Sequence, residues 1–144
     1  MTKIVSFYSY KGGVGRTMAL VNVAHVLARD GYRILMVDFD LEAPGMTHFF
    51  AKLVRDRPQS VKYDALDLLL HAKCNLGQAG DDKETPPLPR SLSEYVVSVP
   101  LPDEWLEKAD TGIPYRNGRL DFMPATLEAL ESENLPNRSL LRII

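Results

Sequence analysis

Strong charge of either sign is missing from this chain, whose 144 residues carry a formal net charge of −2. A protein that holds nucleic acid through its phosphates gathers Lys and Arg on one face, and no stretch here places them between aromatics. Cysteine is almost absent too. Cys74 stands alone, which excludes an internal disulfide, and its neighbours have neither metal-site spacing nor a catalytic partner. No apolar run approaches the length of a membrane span, and the N-terminus enters a strand-like segment without a signal peptide, so the expected location is cytoplasmic. His25, His48 and His71 lie far apart and read as helix-face residues instead of ligands, and Trp105 reads as a packing anchor. With 45% hydrophobic and 25% charged residues, the chain has the profile of a soluble globular protein and room for one domain with a real core.

What is present concentrates near the start. Lys11-Gly12-Gly13-Val14-Gly15-Arg16-Thr17 follows the apolar run Ile4-Val5-Ser6-Phe7-Tyr8 and precedes Met18-Ala19-Leu20-Val21. A strand that breaks into glycines and then opens a helix makes a pocket of backbone N–H groups at a positive helix end, which suits a nucleotide's phosphates. Glycine is needed because the turn visits φ > 0 and because a Cβ would hold the phosphate away from the amides. Thr17, in the first helical turn, can place its hydroxyl on a Mg²⁺ ion bridging the phosphates. The helix is expected over about Thr17 to Arg29, with Leu20, Val23, Ala24 and Leu27 at helical spacing and Gly31 as its stop. An ordinary strand-to-helix turn would need one or two glycines, not three flanked by Lys, Arg and Thr. A dinucleotide-binding Rossmann turn fails at Met18, where its third glycine belongs.

Arg33-Ile34-Leu35-Met36-Val37-Asp38 then reads as a second strand, so residues 3 to 38 form a βαβ unit. At its end stands Asp38-Phe39-Asp40-Leu41-Glu42-Ala43-Pro44-Gly45. In a parallel sheet ligands lie beyond the carboxyl ends of the strands, so these acids and the glycine loop are expected to face one crevice. Asp38 and Asp40 have a task there, holding Mg²⁺ through its waters or polarising an attacking water. The competing readings are solvated loop charges, or Asp40 as the cap of a helix starting near Pro44.

The general P-loop pattern G-x-x-x-x-G-K-[ST] is not met, since Tyr10 and Arg16 stand where its first glycine and its lysine belong. The segment resembles instead the deviant Walker A motif K-G-G-x-G-K-[ST] of the ParA/MinD-type P-loop ATPases, with six of seven positions matching and Arg16 departing. Asp38 and Asp40 resemble the family's D-x-D element, its Walker A′ switch region. The resemblance implies an α/β P-loop NTPase fold with a doubly wound, mostly parallel sheet, and binding of Mg·ATP by Lys11, Gly12, Gly13, Val14, Gly15, Arg16, Thr17 and Met18. Thr17, Asp38 and Asp40 are implied near the metal, and Lys11 and Asp40 in catalysis: Lys11 across a nucleotide-dependent homodimer, Asp40 beside the attacking water. Arg16 keeps the charge of the family's lysine but replaces a compact ammonium with a planar fork, which makes phosphate binding the expectation and leaves hydrolysis open. A nucleotide-holding regulatory or scaffolding module of a larger protein is the alternative.

Farther along, Met46 to Val54 and Asp64 to Ala72 read as helices, the latter with Leu66, Leu69 and Leu70 on one face. Lys73 to Arg90, with Pro86-Pro87-Leu88-Pro89, reads as a surface loop. Ser91 to Val97 and Asp103 to Ala109 read as short helices opened by Ser and Asp. Arg119 to Ala125 reads as a third strand, resembling the family's L-D-x-[IL]-P-[AS] stretch before a helix at Thr126 to Glu133. No later segment reads as the strand that carries the family's Walker B aspartate. Residues 1–144 are therefore expected to be the N-terminal portion of a single nucleotide-binding domain, with the base-reading residues, and so the choice between ATP and GTP, beyond Ile144.

Overall fold

The computed structural model describes residues 2–77, 91–102 and 118–127. Its elements follow in the order α1 (Arg16–Arg29), β1 (Arg33–Val37), α2 (Gly45–Phe49), α3 (Ala51–Arg55), α4 (Ala65–Gly77), a 3-10 turn (Leu92–Glu94), β2 (Val97–Ser98) and β3 (Arg119–Met123). The three strands form one sheet in the order β1-β3-β2. β3 runs parallel to β1, since Arg119 N–H donates to Tyr32 C=O where they begin and Asp38 N–H donates to Met123 C=O where they end, each at 3.1 Å. β2 is antiparallel to β3, with Val97 opposite Phe122 and Ser98 opposite Asp121. The architecture is thus mixed α/β.

The chain divides into two compact units, Met1–Met36 with Val99–Leu120, and Val37–Ser98 with Asp121–Ile144. In the first, α1 buries Val21, Ala24 and Ala28. It ends as its sequence requires: Gly31 takes φ +88°, its N–H donates to Ala28 C=O at 2.9 Å, and Tyr32 N–H reaches back to Leu27 C=O at 3.0 Å. Gly118 lies so close to that helix end that a Cβ on it would overlap the Ala28 carbonyl. Of the residues at helical spacing on α1, Ala24 is buried while Val23 and Leu27 are exposed.

The expected first strand is also corrected. Residues 2–9 carry no strand, and Ile4 and Val5 are 92% and 73% exposed. A strand is made by its neighbours' hydrogen bonds, and the sheet β1-β3-β2 does not include this segment.

In the second unit, the helix expected over Met46 to Val54 is two helices. The chain bends at Phe50 (φ −95°, ψ 22°), whose ring packs on Phe122 with centroids 5.0 Å apart. Leu66 is buried on α4 but Leu69 is exposed. Helix α4 runs on to Gly77, into the stretch expected as a loop, whose remainder, 78–90, lies outside the described residues. Ser91 does open a turn, its Oγ accepting Ser93 N–H at 3.3 Å, but only a 3-10 turn. The chain then becomes β2, because Val96, Val97 and Val99 bury their branched side chains beside β3. Residues 103–117, with one expected helix and Trp105, and the helix expected over 126–133 from residue 128 on, lie outside the described residues.

A core cluster joins Ala65, Tyr95, Val96 and Met123, with Val37, Tyr63 and Leu68 packed against it. Tyr95 is buried, its ring 5.4 Å from that of Tyr63 and its hydroxyl 3.4 Å from His71 Nδ1. Burial, then the carboxylate of Asp67, pushes its phenol above the ordinary value. The folded state therefore keeps this proton to higher pH than the unfolded chain does. The stabilisation is fully present below about pH 10 and is lost as pH rises beyond it. Urea midpoints measured from about pH 8 to about pH 11 should fall in the wild type above about pH 10, and fall less steeply in Tyr95→Phe.

Candidate functional site

The glycine loop is built from the backbone upward. Ser9 Oγ donates to Lys11 C=O at 2.8 Å and pins the entry to the turn. Gly13 and Gly15 adopt φ +72° and +80°, and no residue other than glycine takes positive φ among the described residues. Gly15 is the N-cap of α1, and its carbonyl accepts Ala19 N–H at 2.9 Å, the first helical bond. No side chain caps this helix, and no acidic residue stands in its first turn. The first N–H groups of an α-helix have no acceptor within it by its geometry, and the helix dipole makes that end positive. A Cβ built on Gly12, Gly13 or Gly15 would meet nothing within 4 Å. The glycines therefore answer to backbone angle and to open space beside the amides, not to crowding by the protein. That space and donor set fit a phosphate group. Lys11 and Val14 are exposed on the same turn.

The acids lie at the end of β1, in the other unit. Asp38 is 4% exposed. Its Oδ2 accepts both Thr47 N–H at 2.8 Å and the Thr47 hydroxyl at 2.9 Å, and its Oδ1 accepts Asp40 N–H at 3.2 Å. Three bonds fill most of the roughly four acceptor positions of a carboxylate. Asp40 is exposed, and its Oδ1 accepts Ala43 N–H at 3.1 Å, a turn that leads the chain toward α2. Asp38 and Asp40 are thus brought together. Among the described residues no group of three His, Cys, Asp or Glu is placed to hold a metal. A carboxylate so nearly filled, with a second beside it in solvent, suits a metal that keeps its waters and takes its other oxygens from phosphate.

Sequence reasoning missed two residues that order this end of the sheet. Thr47 carried no signal. Asp64 did: Asp64-Ala65-Leu66-Asp67 before an apolar run is a capping pattern, and the two acids cap reciprocally, Asp67 N–H to Asp64 Oδ1 at 2.9 Å and Asp64 N–H to Asp67 Oδ2 at 3.2 Å. His25, His48 and His71 all lie on helices, as expected. No helix among the described residues is long and apolar enough to cross a membrane.

Residues 2–78 match the family model described as an AAA domain. The septum site-determining protein MinD of Helicobacter pylori is 30% identical over 123 residues, 85% of this chain and 42% of that protein. A putative MinD of Oltmannsiellopsis viridis is 38% identical over 71 residues, 49% of this chain and 21% of that protein. An iron-sulfur cluster carrier protein of Deinococcus radiodurans is 41% identical over 49 residues, 34% of this chain and 14% of that protein. The chain thus spans under half the length of these relatives, and no solved structure matches it. Over the segment that carries the glycine loop and the paired aspartates, this chain belongs to the AAA-domain family of ParA/MinD-type P-loop ATPases.

Proposed function

We propose that this chain binds Mg·ATP and, in the complete protein, serves as a nucleotide-dependent dimerisation switch. The observation that carries the reading is the uncapped start of α1, where Gly13 and Gly15 hold positive φ beside open space. The amides from Gly12 to Met18 would hold the β- and γ-phosphate oxygens, and the Arg16 guanidinium would stand on the outer phosphates in the role of the family's lysine. Thr17 would hold the metal, and Asp38 would orient its waters. When bound, the magnesium ion neutralises charge on the phosphate oxygens. Asp40, exposed and beside Asp38, would accept a hydrogen bond from the attacking water and aim it at the γ-phosphate. Lys11, exposed on the turn, would reach the nucleotide of a second copy. The family's doubly wound, mostly parallel sheet would give Ile4–Tyr8 a neighbouring strand.

The test uses the full-length protein. Calorimetry should detect Mg·ATP binding, and Asp40→Ala should lower phosphate release by at least about tenfold while binding is kept, since a positioning group acts on turnover more than on affinity. Binding without turnover in the wild type would decide for a regulatory module that holds nucleotide, and absence of binding would remove the proposal.

A further inference from the structure

The two acids after β1 are held differently, and the difference leads away from the phosphates. Thr47 is fully buried; its hydroxyl donates to Asp38 Oδ2 at 2.9 Å and accepts Ala125 N–H at 3.0 Å. The same peptide group that supplies this N–H carries the Pro124 carbonyl, which accepts Ala65 N–H from the first turn of α4 at 2.9 Å. Ala125 C=O takes the next helical amide, Leu66 N–H, at 3.1 Å. The result is one head-to-tail chain of donors: Ala65 N–H, the Pro124–Ala125 peptide, the Thr47 hydroxyl, the Asp38 carboxylate. Every dipole in it points its positive end toward Asp38. Buried hydrogen bonds so arranged polarise one another, and the load on the carboxylate sets the strength of the bonds behind it.

We propose that Thr47 is the positioning residue of the acidic pair, and that its hydroxyl couples metal-bound nucleotide at Asp38 to the start of helix α4. This rests on the reading of Asp38 as a group facing the metal's waters. With its hydroxyl in place, Thr47 fixes one oxygen of Asp38 and leaves the other turned toward Asp40. Coupling is reciprocal, so whatever shifts the first turn of α4 also changes the affinity for the metal-bound nucleotide.

Two substitutions separate this from a packing role. Thr47→Val keeps the shape and removes the hydroxyl; Thr47→Ser keeps the hydroxyl and removes a methyl. In the full-length protein, Thr47→Val should weaken binding of Mg·ATP by about tenfold, the effect of one hydrogen bond to a charged group, and leave binding of ATP in EDTA within about twofold. Thr47→Ser should restore Mg·ATP binding to within about twofold of wild type. The amides of Ala65 and Ala125 should exchange faster when Mg·ATP binds to the wild type and to Thr47→Ser, since a new donor on Asp38 weakens it as the acceptor that ends their chain, and show no such change in Thr47→Val. Equal losses with and without magnesium, or a serine variant no better than valine, overturn the proposal alone. Wild-type protein that binds no Mg·ATP overturns the functional reading and this proposal with it. Should Thr47→Val not fold, an unchanged exchange rate at Ala65 and Ala125 in the wild type on Mg·ATP binding is the overturning result.

Discussion

Gly15→Val is expected to reduce Mg·ATP affinity by at least about a hundredfold, the loss of roughly two amide–phosphate hydrogen bonds at about 1.5 kcal/mol each. Gly15 sits at φ +80°, where a residue with a Cβ pays about 1–2 kcal/mol and a β-branched one more. The valine relieves that strain only by moving the amides that open α1. Strain alone would also lower stability, so a second variant isolates the binding role. Gly12 is not among the glycines at positive φ, and a Cβ there meets nothing within 4 Å. Gly12→Ala should leave stability unchanged or slightly raised, by about 0.4–1 kcal/mol in urea denaturation, because the unfolded chain loses freedom. Its Mg·ATP affinity should nonetheless fall by about tenfold, as the methyl enters the space beside the amides. Titration calorimetry of both variants checks this, and wild-type affinity in Gly12→Ala would mean that the open space is not where phosphate binds.

The parts of this molecule that were legible in the sequence are those set by local chemistry. Helix α1 begins and ends where Gly15 and Gly31 put it, because each supplies a backbone angle that its neighbours cannot. Strands β1 and β3 match their apolar runs, and Pro124 closes the third strand as a residue without an N–H must. The glycine loop was legible for the same reason. Illegible were the features that depend on what lies alongside. Ile4–Tyr8 has the composition of a core strand, yet burial is conferred by adjoining chain, and Ile4 and Val5 are exposed. Leu27 of α1 and Leu69 of α4 have helical spacing but lie at the margin of the apolar stripe, each 37% exposed. Phe50 splits one expected helix into two through a ring contact with Phe122, 72 positions later in the chain. Within the site, the D-x-D pattern marks Asp38 and Asp40 alike. Only the fold shows that one is buried in a polar chain and the other faces solvent.

Asp64 should prove the most costly polar residue to truncate. It is 2% exposed, and its carboxylate spans two partners, Oδ1 accepting Asp67 N–H in the first turn of α4 and Oδ2 accepting Leu127 N–H at 2.8 Å. Capping alone is worth about 1 kcal/mol. The second bond changes the scale, because Leu127 N–H is buried and a lost acceptor leaves it to bear its desolvation, about 1–3 kcal/mol. Asp64→Ala is therefore expected to destabilise by about 2–4 kcal/mol in urea denaturation of the full-length protein. Asp64→Ser tells the two contributions apart: its hydroxyl can still cap Asp67, but its shorter side chain cannot span to Leu127 as well. It should recover about 1 kcal/mol of the loss, while the Leu127 amide exchanges as fast as in the alanine variant. Full recovery by serine would show that Asp64 is only a helix cap. Fast exchange at Leu127 in both variants, with only partial recovery of stability by serine, would locate the remainder in the tether between helix α4 and the end of β3, the same stretch of backbone that carries Ala125 to Thr47.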